Sequence, residues 1–100
     1  MGALTPTKVG ATEFGGDYKI VILTVTPAAA SDTVTLTTAN SDLSEILGVF
    51  AHLTAGMDAN LLTIHATFSG LVITLVTLGA DGANASDWAG ASAKVFVIGK

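Results

Sequence analysis

The chain has no cysteine, no arginine and no glutamine among its 100 residues. Without cysteine it has no disulfide, no zinc–thiolate site and no thiol nucleophile. Its four basic residues are all lysines, they form no cluster, and the net charge is −4. Binding to nucleic acid depends on neutralising several phosphates. We therefore expect no nucleic-acid partner, and the acidic balance also disfavours anionic membranes.

Charge of either sign is scarce, at 12% of residues, against about 25% in a typical soluble domain. Half of the residues are hydrophobic. A chain of this length makes one domain, for which area scaling predicts roughly 5,200 Å² of accessible surface, against about 14,500 Å² unfolded. Because so small a domain cannot hide that many apolar side chains, we expect part of them in subunit contacts, where charge is depleted. The sequence therefore predicts an oligomer.

Long apolar runs are also absent. The longest, residues 20–25 and 71–78, fall well short of the ~20 residues that span a bilayer. The opening MGALTPTK has neither a basic n-region nor an apolar h-region, and Pro6 stands where a myristoylation signal has Ser or Thr. We therefore expect no secretory signal, no myristoyl group and no membrane partner.

Threonine is abundant, with 14 residues, and is accompanied by many valines and isoleucines. Such β-branched side chains lose freedom in a helix and pack well on a pleated surface. The sequence predicts an all-β fold, namely a compact antiparallel β-sandwich or jelly-roll-like domain of about six to eight strands over residues 18–100. Residues 1–17, with four glycines and Pro6, are predicted to form an extended N-terminal arm, with strand character only around residues 8–12.

Six strand segments follow from short apolar runs that end at turn-forming residues. They are residues 18–26, 33–38, 46–53, 61–68, 71–78 and 92–98. The first is apolar on both faces, as expected of a strand that is covered twice or lies at an interface. Ser69-Gly70 predicts a tight two-residue hairpin turn, in which glycine supplies a positive φ. The connections are predicted as a linker at residues 27–32 and loops at 55–60 and 79–90.

Residues 41–53 allow two interpretations. The apolar side chains from Leu43 to Phe50 recur at helical spacing, which favours a helix. Gly48, however, costs about 1 kcal/mol in a helix interior, and the apolar stretch is short. We therefore expect a helical turn at residues 41–44, followed by the strand.

Two histidines, His52 and His65, are the residues that could act as a base or a metal ligand, with Asp58 or Glu45 as a partner. Neither HxH nor HxxxH spacing occurs, and a third strong ligand is missing. Each histidine is therefore expected to face solvent or a subunit contact from its strand.

Three polar residues, Asp81, Asn84 and Asp87, are spaced three apart in the 79–90 loop. They could offer oxygens to calcium, but an EF-hand loop needs oxygens at alternate positions and a closing Glu, so we expect them to form turns. No GxSxG, P-loop or GxGxxG motif occurs. The sequence therefore predicts that the chain is not an enzyme and holds no metal and no cofactor.

The order of segments resembles a known family. It runs from YKIVILTVT through an alternating strand, DLSEILGV, a hairpin and a small-residue loop to the ending VFVIGK. In this it is similar to the small virion proteins encoded beside the capsid genes of tailed bacteriophages, of the capsid decoration, or cement, type. The resemblance covers residues 18–100. It implies a β-sandwich, commonly a homotrimer, that is made in the host cytoplasm and ties major capsid subunits together on the capsid exterior, without catalytic residues.

Six contact residues are predicted for such a role: Thr5, Val9, Phe14, Phe50, Trp88 and Phe96. The first three belong to the arm, which can add β pairing to a neighbour. Trp88 is expected to pin its loop to the body of the domain or to a neighbouring subunit. An alternative is a carbohydrate- or receptor-binding module, in which Trp88 stacks on a sugar ring and Asp81, Asn84 and Asp87 bond its hydroxyls. A phage tail or tail-tube subunit is a further alternative.

Overall fold

The computed structural model describes residues 2–4, 6–13, 18–37, 41, 43–58, 61–80, 82–88 and 90–100, with the backbone alone for residues 2–3 and 9–13. Within these residues eight strands follow one another: β1 (Gly2–Ala3), β2 (Thr7–Glu13), β3 (Lys19–Val25), β4 (Ser31–Thr35), β5 (Ile46–Ala55), β6 (Thr63–Ser69), β7 (Val72–Leu78) and β8 (Ser92–Gly99). The predicted all-β fold is confirmed. None of the described residues forms a helix long and apolar enough to cross a membrane.

The strands form two four-stranded sheets. Sheet I has the order β2-β3-β8-β5 and sheet II the order β1-β4-β7-β6. All neighbours are antiparallel except β1, which runs parallel to β4. Among the described strands the chain crosses between the sheets five times, after β1, β3, β4, β5 and β7, so each sheet is built from distant parts of the sequence.

The core lies between the two inner faces, because alternate residues of each strand point inward. On β3 these are Val21, Leu23 and Val25, and on β8 they are Ala93, Val95 and Val97, all nearly fully buried. Sheet II contributes Val34, Ile64, Ile73 and Leu75, and the connections add Leu36, Leu43 and Leu61. The accessible surface is 5075 Å², close to the roughly 5,200 Å² expected of a folded monomer of this mass.

The described residues of the N-terminal segment form two edge strands that pair with the chain's own sheets. β2 lies antiparallel to β3 at the edge of sheet I, and a register shift between Lys8 and Gly10 interrupts the pairing. β1 lies beside β4 at the edge of sheet II. The strand character expected around residues 8–12 is thus confirmed.

Two turns differ from the sequence prediction. The hairpin between β6 and β7 turns at Gly70-Leu71, one residue later than predicted, because Ser69 is opposite Val72. Gly70 has a φ of 59°, the left-handed conformation that glycine adopts without steric cost. The helical turn predicted at residues 41–44 does not extend over its described residues: Ser41 is helical and its N–H donates to the Thr37 carbonyl (3.1 Å), whereas residues 43 and 44 are not helical and residue 42 lies outside the described residues.

β4 begins two residues earlier than predicted, so the end of the 27–32 linker was wrong. Ser31 and Asp32 belong to the strand, and Asp32 points into the core. Its Oδ2 accepts the N–H groups of Ala28 (3.0 Å) and Ala29 (3.1 Å). An aspartate that bonds preceding amides typically marks a turn; here it also occupies the first inward position of the strand.

Candidate functional site

Exposed apolar side chains concentrate on one side of the described molecule. Seven large hydrophobic residues are exposed among the described residues, and two of them, Tyr18 and Val72, lie before β3 and on β7. The other five lie on β5, on β6 or in the connection between these strands: Leu47, Phe50, Met57, Leu62 and Phe68. β5 and β6 are the edge strands of sheets I and II, and they pack against each other. Exposed patches of this kind mark contact surfaces in soluble proteins.

An aromatic stack lies on the outer face of sheet I beside this edge. Phe50 on β5 is directly opposite Phe96 on β8. Their ring centroids are 4.8 Å apart with an interplanar angle of 5°, and His52 stacks on Phe96 at 5.5 Å and 19°. Phe50 remains 55% exposed despite this stack. The rings therefore offer an aromatic surface that the chain itself does not cover.

Aliphatic side chains extend the aromatic stack across the sheet. Ile22 on β3 is opposite Phe96, and Ile20 is opposite Ile98, with all four only partly buried. We call Ile20, Ile22, Phe50, His52, Phe96 and Ile98 together the aromatic face. Antiparallel sheets usually place polar residues on their outer side, so this apolar composition is unusual for a face left open to water.

Charge is nearly absent from the same face. Among the outward-facing residues of β3, β5 and β8, Lys94 is the one that carries charge, and its Nζ donates to Thr24 Oγ1 at 3.2 Å. Depletion of charge and enrichment in aromatic residues distinguish the centre of a protein interface from ordinary surface. The composition of the aromatic face therefore fits a protein contact.

The outer face of sheet II is richer in hydroxyl groups, although the outward-facing residues of β7 also include Val72, Val76 and Leu78. Thr33, Thr74 and Thr67 form one row across β4, β7 and β6. Further hydroxyl-bearing residues lie on the same face, namely Ser31, Thr35, Thr63 and Ser69. The threonine-rich strands thus supply the wetted side of the sandwich, and the two outer faces are chemically distinct.

Trp88 serves the chain's own packing. Its Nε1–H donates to Thr77 Oγ1 at 2.9 Å, and the Thr77 hydroxyl donates to the Ala29 carbonyl at 3.2 Å. Thr77 is buried, and Trp88 packs partly buried against the core. Of the two roles predicted for Trp88, a contact with the body of the domain or with a neighbouring subunit, the structure shows the first.

Of the six predicted contact residues, the structure brings Phe50 and Phe96 together and places Trp88 apart from them, in the loop between β7 and β8. Thr5 and Phe14 lie outside the described residues, and Val9 is described only by its backbone in β2. The six predicted contact residues did not include His52, Ile22 or Ile98, although His52 was expected to face solvent or a subunit contact. The sequence indicated Ile22, because both sides of β3 are apolar. It did not indicate which residues lie beside Ile22, because the pairing of β3 and β5 with β8 cannot be read from a local pattern.

The other polar candidates do not assemble into a site within the described part of the chain. His52 is on sheet I, whereas His65 is exposed on β6 of sheet II. Asn84 and Asp87 are exposed in their loop, and Asp81 lies outside the described residues. Among the described residues, no three His, Asp or Glu side chains lie close enough together to hold a metal ion.

No family model, curated protein or solved structure matches the chain.

Proposed function

We propose that the chain is a non-enzymatic structural subunit that binds the outside of a tailed-phage capsid and stabilises the shell as an oligomeric cement protein. The aromatic face is the observation that carries the proposal, because a structural subunit needs apolar, weakly charged surface for its contacts. The kind of assembly, a phage capsid, is proposed from the resemblance of the sequence to capsid decoration proteins. The proposed partners are other copies of the same chain, in the homotrimer that the resemblance implies, and the major capsid protein.

The energetics of the aromatic face support a contact role. Phenylalanine side chains can bury about 150–250 Å² each, and burial of apolar surface contributes about 25 cal/mol per Å². In this structure Phe50 and its neighbours leave much of that area in water. A partner that covers the face would gain stabilisation that the isolated chain cannot realise, which is the physical basis of cementing.

The architecture suits this role as well. A β-sandwich closes its own core and presents two rigid outer faces, here one apolar and one rich in hydroxyl groups. We propose that the aromatic face contacts protein and that the hydroxyl-rich face of sheet II points to solvent. Catalysis plays no part in this function.

Cryo-electron microscopy of the virus particle that carries the chain tests the proposal. We expect density for the two sheets on the outside of the head, at threefold positions, with the aromatic face turned toward a protein neighbour. Density found only in the tail would establish the tail-subunit alternative instead. Absence from the particle would refute the cement role, and glycan-array binding by the purified chain would then point to the carbohydrate-binding alternative.

A further inference from the structure

Gly48 occupies an interior position of β5 where the fold of the single chain does not need a glycine. It lies opposite Ile98 on the outer face of sheet I, and a Cβ atom added to it would meet no other atom within 4 Å. Its φ lies outside the left-handed region, so the register shift between Ile46 and Gly48 does not require glycine either. Glycine in a strand interior lowers stability and often marks a place where another chain approaches closely. Gly48 therefore indicates a contact.

The missing side chain leaves a slot beside a pair of aromatic rings. Phe50, two residues along β5, stacks on Phe96 of the neighbouring strand, with ring centroids 4.8 Å apart and an interplanar angle of 5°. Because neighbouring strands are also about 4.8 Å apart, the two rings stand side by side on the sheet and form a ridge. Gly48 and Ile98 form the next row, about 7 Å away along the strands. A ridge and a slot thus lie in adjacent rows on the outer face of sheet I.

These two rows are complementary to themselves under a twofold rotation. If a second copy is laid face to face on the first with its strands reversed, about an axis that crosses the strands midway between the rows, Phe50 of each copy lies over Gly48 of the other. The remaining residues of the rows are matched in the same way, namely Phe96 over Ile98 and Ile22 over Ile20. Each of the two rings therefore meets a smaller side chain or the slot, as close packing of two sheets requires.

We propose that the aromatic face is a twofold contact between two copies of the chain, in which Phe50 of each copy fills the slot at Gly48 of the other. The inference rests on the contact role proposed above for the aromatic face, and it names the occupant of that face. The contact is isologous, so it closes after two copies. A threefold contact between copies would use a different surface of the chain.

Charge permits a second copy at this face, although each chain has a net charge of −4. None of the described carboxylate side chains lies in the two central rows. Reversal of the strands places Lys94 over the end of β8 in the other copy, where Lys100 Nζ is 3.9 Å from Glu45 Oε1. Carboxylate is therefore not opposed to carboxylate, and Glu45 is shared by two lysines. The reversal also covers Tyr18, which is 44% exposed, with Thr24 of the other copy.

Exchanging the two residues tests the pairing. Gly48→Phe alone sets two rings against each other, and Phe50→Gly alone leaves two slots. We expect each single variant to weaken self-association by about tenfold or more. The double variant Gly48→Phe with Phe50→Gly again has a ring and a slot in adjacent rows, in reversed order, so the same twofold rotation fits them together. The double variant should therefore regain self-association.

Sedimentation velocity over a range of concentrations measures these effects, and circular dichroism confirms that each variant folds. Thr67→Phe is the matched control for Gly48→Phe, because it adds a ring at an exposed, outward-facing position of sheet II. It should not weaken self-association. Failure of the double variant to recover, or an equal loss in Thr67→Phe, would overturn the twofold pairing.

Stability of the single chain separates a contact role of Gly48 from a structural one. Because an added Cβ meets nothing and valine favours a strand, Gly48→Val should raise the urea midpoint of unfolding. The same substitution fills the slot, so it should weaken self-association. A lower urea midpoint for Gly48→Val would show that the fold itself needs the glycine, and the argument from this residue would be wrong.

These outcomes differ from those that test the cement role. If the unaltered chain stays monomeric at every concentration, the twofold pairing is wrong, whereas density on the outside of the head would still establish the cement role. If the exchange variants behave as expected but the chain is absent from the particle, the pairing stands and the cement role alone is refuted.

Discussion

Thr77 is a buried residue whose hydroxyl group connects two loops to strand β7. It lies on the inner side of β7, where Val or Ile would be the usual occupant. Its Oγ1 accepts the Trp88 indole N–H and donates to the Ala29 carbonyl. One side chain thus ties the 79–90 loop and the segment before β4 to the same strand, and both connections depend on the hydroxyl group.

We predict that Thr77→Val, which preserves the shape of the side chain, lowers the free energy of unfolding by about 1–3 kcal/mol, because it leaves a buried donor and a carbonyl unpaired. Urea denaturation followed by fluorescence of Trp88, the single tryptophan, measures the change. Thr74→Val, at an outward-facing position of the same strand, is the control and should change stability by no more than about 0.5 kcal/mol. Equal effects of the two substitutions would show that the hydroxyl bonds contribute nothing.

The start of β4 shows how a single element can differ from its sequence signature. The alternation of Val34 and Leu36 with threonines correctly predicted a half-buried strand. The sequence could not show that Asp32 continues the inward series, because an aspartate among alanines is typical of a linker. The bonds of its carboxylate to Ala28 and Ala29 make burial of this residue tolerable.

Replacing Asp32 tests that account. Asp32→Ala leaves the partly buried N–H groups of Ala28 and Ala29 without their acceptor, and we expect a total loss of stability of about 1–3 kcal/mol. Asp32→Asn keeps an acceptor oxygen in place. Asp32 Oδ1 has no hydrogen-bond partner among the described residues. Because Asp32→Asn removes the buried charge, it should offset part of any loss of stability. In thermal or urea unfolding Asp32→Asn should be clearly more stable than Asp32→Ala, and equal stability of the two would contradict the role given to Oδ2.

Elements were predictable from the sequence wherever the local pattern was decisive. The strands at residues 18–26, 46–53 and 92–98 correspond closely to β3, β5 and β8, because apolar β-branched runs end at turn-forming residues there. The exact position of the β6–β7 turn was not predictable, since cross-strand pairing of distant side chains selects the register. Local signals therefore determine which segments become strands, and tertiary contacts determine how they align.

At the scale of the whole molecule, the sequence indicated that apolar surface would remain exposed but not where. Low charge and high apolar content predicted contact surface, and Phe50 and Phe96 were both selected. Their stacking depends on β5 and β8 being neighbours in sheet I, although these strands are separated in the chain by β6 and β7. A sheet order with such crossovers is not encoded in any local pattern, so the aromatic face became visible only in the fold.

The aromatic face leads to a prediction about assembly. We expect Phe50→Ser to weaken self-association through this face by about 2 kcal/mol or more, the size of effect typical of a central aromatic contact residue. Stability of the single chain should fall less, by about 0.5–1.5 kcal/mol, since Phe50 is largely exposed and the stack on Phe96 is its main internal contact.

Val72→Ser is the control, because Val72 is also an exposed apolar residue, at 38% against 55% for Phe50, but lies on the outer face of sheet II rather than on the aromatic face. Sedimentation velocity over a range of concentrations should show weaker association for Phe50→Ser and no change for Val72→Ser. If both variants associate like the unaltered chain, the aromatic face is not a contact between copies. If the unaltered chain is monomeric at all concentrations, the oligomer inferred from its low charge is wrong, and the exposed rings must be explained by contact with a different protein.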